Sequence, residues 1–478
     1  VPDSSQPTPP PAPSSPHAMK RRNRITRFRR SARTHTTHWQ RSLIFWAGAI
    51  TVGIIAWLFA RAADYASHLC LNLNHWNPYI MLAIIPSGLA LSMWLTKRFF
   101  PGAQGSGIPQ TIATLHIEDF SLINRILALR IAFGKICLTT LGLLCGASIG
   151  REGPTVQVGA AIMHAYSRFL GHANVSTRRG VILAGGAAGV AAAFNTPLAG
   201  IVFAIEELSS SFHQRTSGFM LTGVVIAGVT AIVLTGGNYT YFGHASVDVP
   251  VGTAWIAVLA CGILGGLGGG AFSAFLIRVG KGLPGKIGRI QRSRPVLFTA
   301  LCGVLLAILG IASHGETFGT GYIQAHHLVD GSRHGHMSYF LMKYAATIIS
   351  YCSGIPGGLF APSLSIGASV GGWVARFLPH TAPGAVVLLG MVGYFSGVVQ
   401  SPLTATVIVM EMCDNQQITL ALLATAFLAL GVSRMVCSHS LYGQLADQFL
   451  ARQEGYLQKQ HDQTRQASSD HSTPEEAP

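Results

Sequence analysis

Charge is what this chain has least of. Only 11% of its 478 residues are Asp, Glu, Lys or Arg, less than half of the roughly 25% usual in soluble domains. With 49% hydrophobic residues besides, there is too little polar material to cover a soluble fold. The strings GxxxxGK[ST] and HExxH are missing, so P-loop nucleotide hydrolysis and zincin-type proteolysis have no foothold. The eight cysteines (Cys70, Cys137, Cys145, Cys261, Cys302, Cys352, Cys413 and Cys437) form no CxxC pair and lie mostly in apolar runs, which reads as core packing. His326, His327, Asp330, His334 and His336 crowd one polar stretch. They lack the fixed spacing of a ligand set and read as an exposed loop. No metal and no cofactor are expected.

What the chain has instead is long apolar runs. Leu43 to Ala60 and Tyr79 to Leu95 are almost free of charge and approach the ~20 residues that span a bilayer as helix. Comparable runs recur near 126–150, 181–205, 217–235, 252–278, 296–312, 339–352, 384–410 and 418–436. The expected class is all-α: a polytopic membrane bundle in the lipid bilayer. Its 55 glycines suit close helix packing and broken helices, since membrane helices use Gly where backbones touch.

Nine of the 33 Lys and Arg lie between Lys20 and Arg41. Two readings stand, a surface helix on anionic lipid and simple positive-inside topogenesis, and both leave the N-terminus cytoplasmic. Nucleic acid is not the expected partner, because the basic stretch runs straight into a span and carries no binding module. Residues 1–18 are rich in Pro and Ser and are expected to be disordered, with Met19 a candidate start. The division expected is a disordered, basic N-terminal arm (1–41), a transmembrane domain (42–450) and a polar tail (451–478), which leaves no room for a C-terminal regulatory domain.

The transmembrane part repeats itself. Pro154 is followed by Gly159-Ala160 and Arg168-Phe169, and Pro362 by Gly367-Ala368 and Arg376-Phe377 at the same distances. Pro197-Leu198 precedes Glu206 as Pro402-Leu403 precedes Glu411. Two matched pairs in one order, roughly 205 positions apart, indicate two related halves, about 42–235 and 252–450. Such halves commonly pack as inverted repeats, with a site near the midplane where broken helices point their N-termini inward. With the N-terminus inside, the first span leaves, the second returns, and Lys97-Arg98 marks the cytoplasmic face.

Three helix starts interrupt the apolar runs. Gly105-Ser106-Gly107-Ile108-Pro109 has a proline suited to the first helical position and a serine hydroxyl beside unpaired N–H groups. It is a candidate anion site reached from the cytoplasm, or a serine N-cap in an ordinary turn. Gly150-Arg151-Glu152-Gly153-Pro154 is the second start, and Gly357-Gly358-Leu359-Phe360-Ala361-Pro362 is its repeat mate, each with its proline read as the first residue of the helix. There the N–H groups of Leu359 and Phe360 precede a proline and can donate to an anion while their side chains exclude water. Backbone left unsatisfied at membrane depth is tolerated only where it is buried in protein or lines a cavity.

Glu152 is a carboxylate tethered at such a start. Ionised, it competes with the anion, and protonated it lets go, which couples anion passage to protons. The alternative is a structural ion pair with Arg151 or Lys135. Lys135, in an apolar run, can raise the local potential, snorkel or pair. A helix from Asn195-Thr196-Pro197 runs some ten residues to Glu206-Glu207, about half the hydrocarbon thickness. Either acid could relay protons from the cytoplasm, or the pair could be a solvated helix end. Tyr442, after the last long run, could donate to an anion or sit in an interfacial belt.

Together these residues resemble the CLC family of chloride channels and proton-coupled chloride exchangers. GSGIP at 105–109, GREGPTVQ at 150–157, GGLFAP at 357–362 and a late tyrosine at 442 stand in the family's order, and the resemblance spans about 42–450. It implies inverted repeats of tilted, broken helices and a homodimer with one pathway per subunit. It implies that Ser106, Tyr442 and the N–H groups of Leu359 and Phe360 bind chloride. By the same resemblance Glu152 is the external gate and proton acceptor, and Glu207 the internal proton-transfer glutamate. Ser106 within GSGIP implies a chloride-type preference, and the fluoride-exporting branch departs from these motifs. Gln110 is a departure, because many relatives carry an acid there. Retaining both Glu152 and Glu207 favours a chloride/proton exchanger, and by the resemblance the short tail without a regulatory domain pair fits a bacterial plasma membrane. The alternative is a passive, voltage- or pH-gated chloride channel. From another class, an intramembrane enzyme built on Glu152 needs a nucleophile or ligand set that the motifs do not supply.

Overall fold

The structure is a computed structural model, and it describes residues 16–170, 175–208, 217–237, 253–332, 335–379, 381–413 and 417–453, with side chains from Ser42 onward. Residues 1–15 of the expected disordered start (1–18), His334 and most of the polar tail lie outside the described residues, whereas 16–41, expected as a disordered basic arm, are helical as the first part of α1. The first half holds α1 (Pro16–Trp76), α2 (Met81–Phe99), α3 (Ile108–His116), α4 (Phe120–Ile126), α5 (Leu129–Leu144), α6 (Glu152–Ser167), α7 (Val175–Phe194), α8 (Pro197–Phe203) and α9 (Ser217–Thr235). The second holds α10 (Thr253–Lys281), α11 (Gly285–Ser293), α12 (Pro295–Ala312), α13 (Tyr322–Val329), α14 (Met337–Cys352), α15 (Phe360–Ala375), α16 (Pro383–Val399), α17 (Pro402–Cys413) and α18 (Thr419–Val436). A terminal helical segment covers 441–453.

Among the described residues six helical stretches are long and apolar enough to cross a membrane: Ser42–Trp76, Pro78–Phe99, Phe120–Leu144, Trp255–Lys281, Pro295–Ala312 and Thr419–Val436. The chain is a multi-pass membrane protein. Other apolar runs do not meet lipid at all. From Val181 to Phe194 every residue of α7 is buried, as is α16 from Gly384 to Val399, the signature of a helix apolar on all sides that forms the core. Glycine makes this packing possible. A Cβ on Gly185 of α7 would stand 2.5 Å from the Gly159 carbonyl of α6, and one on Gly390 of α16 would meet the Gly367 carbonyl of α15 at the same 2.5 Å. The pairs α6/α7 and α15/α16 are thus built alike, backbone against backbone.

The repeat is visible in hydrogen bonds as well as in order. Gly150 donates its N–H to the Gly358 carbonyl at 2.8 Å, and Gly358 donates to the Gly150 carbonyl at 2.7 Å, an antiparallel bridge. These two glycines are repeat mates, so the reciprocal pair sits on the two-fold axis relating the halves, with the chains running in opposite directions. The halves are inverted repeats. Asn195 and Gln400 take the left-handed conformation (φ 56° and 62°) at matched positions just before α8 and α17. All eight cysteines are free, and six of them are buried, as core packing requires.

Gly185→Val is expected to disrupt the α6/α7 seam, because overpacking against backbone costs about 1–3 kcal/mol or more. Gly431→Ala, where a Cβ meets nothing within 4 Å, is expected to be neutral or stabilising. Thermal unfolding of the two purified variants in detergent reads the difference. Equal melting temperatures would contradict the packing account.

Candidate functional site

The three helix starts meet at one place. Gly357 donates to the Gly105 carbonyl at 3.2 Å, and the Gly150–Gly358 pair joins the other two segments. A Cβ on Gly107 would stand 3.0 Å from the Gly153 carbonyl, and one on Gly153 would meet Ser106 and lie 3.3 Å from Gly358 Cα. Glycine is needed at these positions because backbone approaches backbone. The N-termini of α3, α6 and α15 therefore converge, and their first N–H groups have no partner within their own helices.

The prolines sit differently from the expectation. Helix α6 begins at Glu152 and α15 at Phe360, with Arg151 and Leu359 as N-caps, so Pro154 and Pro362 are third in their helices rather than first. Both still lie in the first turn, where a missing N–H costs nothing. In α3 the helix opens at Ile108 with Pro109 second, and the N-cap is Gly107 (φ 101°) with no side-chain cap. Ser106 is thus no N-cap. Its buried Oγ has no hydrogen-bond partner among the described residues, and neither has the Tyr442 hydroxyl. Tyr442 is fully buried, away from any interfacial belt, and lies beside Ser106 and Glu207. Phe360 is the hub of an aromatic cluster, 4.8 Å from Phe395 and 5.8–5.9 Å from Phe194, Phe203 and Tyr442 between ring centres. With buried Leu359 it keeps the junction dry.

Glu152 is 0% exposed. Its Oε1 accepts a hydrogen bond from the Tyr322 hydroxyl at 2.6 Å, while Oε2 has no hydrogen-bond partner among the described residues. The structural pairings weighed for it are used elsewhere. Arg151 donates to Asp64 of α1 and to the Ala60 carbonyl, each at 2.6 Å. Lys135 does not snorkel, and among the described residues it pairs with no carboxylate. Its buried ammonium donates to the carbonyls of Ala103 and Gly105 at 2.8 Å, clasping the loop that carries Ser106. Gln110 supports the same loop by donating to the Gln104 carbonyl at 2.9 Å. A carboxylate at 110 could not make that bond.

Residues 204–208 depart from the expected ten-residue helix. After the seven residues of α8 the chain widens into a π-helical turn, Ala204–Leu208, a device frequent at functional sites. The turn sends the two acids apart. Glu206 accepts from the N–H groups of Leu403 (3.1 Å) and Thr404 (2.7 Å) and from the Thr404 hydroxyl (2.7 Å), capping α17. Glu411 does the reverse, accepting from the N–H groups of Leu198 (3.2 Å) and Ala199 (2.7 Å) at the start of α8. This swapped capping is two-fold symmetric. Glu207 is not part of it: its carboxylate accepts a short hydrogen bond from the Ser401 hydroxyl, and its repeat mate is Met412.

A family model described as voltage gated chloride channel matches residues 88–434. The chain belongs to this family. Among CLC relatives, the H(+)/Cl(-) exchange transporter ClcA of Cronobacter sakazakii is 29% identical over 438 residues, covering 87% of this chain and 89% of the relative. The protein of the same name from Yersinia pestis is 31% identical over 434 residues, covering 85% and 87%. A crystal structure of a slow cyanobacterial Cl-/H+ antiporter superposes with a TM-score of 0.74 at 28% identity, covering 86% of this chain and 99% of that one. A CLC-type fluoride/proton antiporter superposes at 0.71 with 21% identity, a likeness of fold alone.

Some partners in this CLC site went unseen in the sequence. Lys343, the repeat mate of Lys135, donates to the carbonyls of Thr317 (2.9 Å) and Gly319 (2.8 Å); extending the repeat spacing back from Pro362 would have found it. Ser401 and Tyr322 carry no local signal. His326, His327 and Asp330, read from the sequence as an exposed loop, instead gather at the end of helix α13, with ligand atoms within 4.8 Å of one another, and all three are at least partly exposed. His336 instead precedes α14, its carbonyl accepting from Ser369 at 3.2 Å.

Glu206→Ala and Glu411→Ala are each expected to cost about 0.5–2 kcal/mol, the usual loss of a helix cap. Glu207→Ala removes no cap and is expected to cost less. Thermal melts of the three variants test this, and a Glu207 loss as large as the other two would contradict the assignment.

Proposed function

We propose that this chain exchanges chloride for protons across the membrane, as a secondary active transporter rather than an enzyme. The observation that carries the reading is a buried carboxylate lodged where three helix N-termini converge. Chloride, the substrate, is drawn by the partial positive charge of α3, α6 and α15 and accepts from the hydroxyls of Ser106 and Tyr442 and the N–H groups of Leu359 and Phe360. Buried hydroxyls without protein partners cost about 1–3 kcal/mol each, and an anion between them relieves that cost. Because it is itself an anion, the Glu152 carboxylate and chloride exclude one another. A proton on Glu152 removes the competition, and this is the coupling step.

Glu207 is the internal proton donor in this scheme. The capping acids come as a symmetric pair, whereas Glu207 has no acidic mate, so the fold's symmetry does not account for it. Its neighbours Ser401 and Tyr442 lead from the π-turn toward the anion junction. We further propose a homodimer with one pathway per subunit in a bacterial plasma membrane. The exposed apolar residues Leu198, Ile205, Leu403 and Phe427 offer it a seam along α8 and the π-turn after it, α17 and α18.

Reconstituted in liposomes with a chloride gradient and no imposed pH gradient, the protein is expected to drive protons uphill. Glu152→Gln is expected to keep chloride flux and lose proton movement, and Glu207→Gln likewise. Chloride flux without proton movement in the unmodified protein would establish a channel instead. Persistent coupling in Glu152→Gln would overturn the gate.

A further inference from the structure

The second half contains a counterpart of the GSGIP loop that sequence motifs do not reveal. Gly319-Thr320-Gly321-Tyr322 leads into α13 as Gly105-Ser106-Gly107-Ile108 leads into α3. Gly321 and Gly107 are both left-handed N-caps, with φ of 83° and 101°. Each loop is clasped through its carbonyls by a buried lysine, Lys343 on Thr317 and Gly319 and Lys135 on Ala103 and Gly105. Each capping glycine also packs on matched neighbours. A Cβ on Gly107 would stand 3.0 Å from Gln157 Cβ, and one on Gly321 would stand 2.7 Å from Ser365 Cβ; Gln157 and Ser365 are themselves repeat mates. The two loops are one device used twice.

Their cargo differs. The first loop turns Ser106 toward the anion junction, whereas the second delivers Tyr322, whose hydroxyl donates to Glu152 Oε1 at 2.6 Å. Among the described residues this is the one side-chain hydrogen bond found on that carboxylate. The other charged or titratable groups around Glu152 are Arg151, paired with Asp64 of α1, and Tyr442 of the terminal segment; Lys343 of α14 is bound to the carbonyls of the clasped loop. The neighbouring start of α15 brings no ionisable side chain. We infer that Tyr322 is a positioning residue that holds the ionised gate in the pathway, so that the 319–322 loop sets the pH at which the gate opens. The inference rests on the reading of Glu152 as the gate.

The sign follows from what the hydroxyl donates to. A hydrogen bond to the ionised form favours that form, so removing it lets the gate take its proton at lower proton concentration. In Tyr322→Phe the midpoint of chloride flux against pH is expected to move about one unit toward alkaline pH, a tenfold change in proton requirement. The control is the same substitution in a Glu152→Gln background, where nothing at the gate titrates. The experiment is chloride efflux from proteoliposomes across a pH series for the unmodified protein, Tyr322→Phe, Glu152→Gln and the double variant. An alkaline shift in Tyr322→Phe, with superimposable profiles for Glu152→Gln and the double variant, supports the inference. An unchanged midpoint, or an equal change in both backgrounds, overturns it while leaving the gate intact. If Glu152→Gln keeps the unmodified protein's pH dependence, the gate reading falls and the role of Tyr322 falls with it.

Discussion

Backbone groups that lose their helix partners inside an apolar protein must find others, and the reciprocal Gly150–Gly358 pair is where this chain meets that demand. Each glycine donates to and accepts from its own repeat mate, so the local two-fold of this antiparallel bridge coincides with the one relating the halves. From that seam the rest follows. The starts of α6 and α15 are locked nose to nose, the GSGIP loop is tied in through Gly105, and the remaining N–H groups are left to face one small volume. Unsatisfied donors at that depth cost too much to persist without a purpose. In the proposed transporter they form the anion site, with the tethered carboxylate of Glu152 among them.

Symmetry builds the frame and its exceptions mark the chemistry. The lysine clasps, the glycine seams, the left-handed Asn195 and Gln400, and the swapped caps of Glu206 and Glu411 all come in pairs, as structural devices of a duplicated bundle do. The residues proposed to act do not. Glu152 is matched by Phe360, Glu207 by Met412, Ser106 by Thr320 and Tyr322 by Ile108. At these positions the two halves of the duplicated scaffold no longer match.

The legible part of this design is what local sequence encodes. Gly/Pro strings in apolar runs announced the three broken helices, and the spacing from Pro197 to Glu206 and from Pro402 to Glu411 announced the repeat. The same local signals misplaced Pro154 and Pro362 by two positions, because any site in the first turn tolerates proline. They also could not separate Glu206 from Glu207, since a π-turn has no spacing signature and only the fold shows the two carboxylates turning apart. Contacts between distant segments were beyond reach. Lys135 reads as a charge in an apolar run until the carbonyls of Ala103 and Gly105 are seen around it, and Tyr322 is one tyrosine among 12 until its hydroxyl meets Glu152.

The central claim is competition between the Glu152 carboxylate and chloride for one site, and chloride binding itself tests it most directly. Calorimetric titration of chloride into the purified protein across a pH series is expected to show affinity rising as pH falls, as protons displace the competitor. Glu152→Gln is expected to bind with the high, acid-type affinity at every pH. Chloride affinity that is independent of pH in the unmodified protein, or equally pH-dependent in Glu152→Gln, would contradict the account.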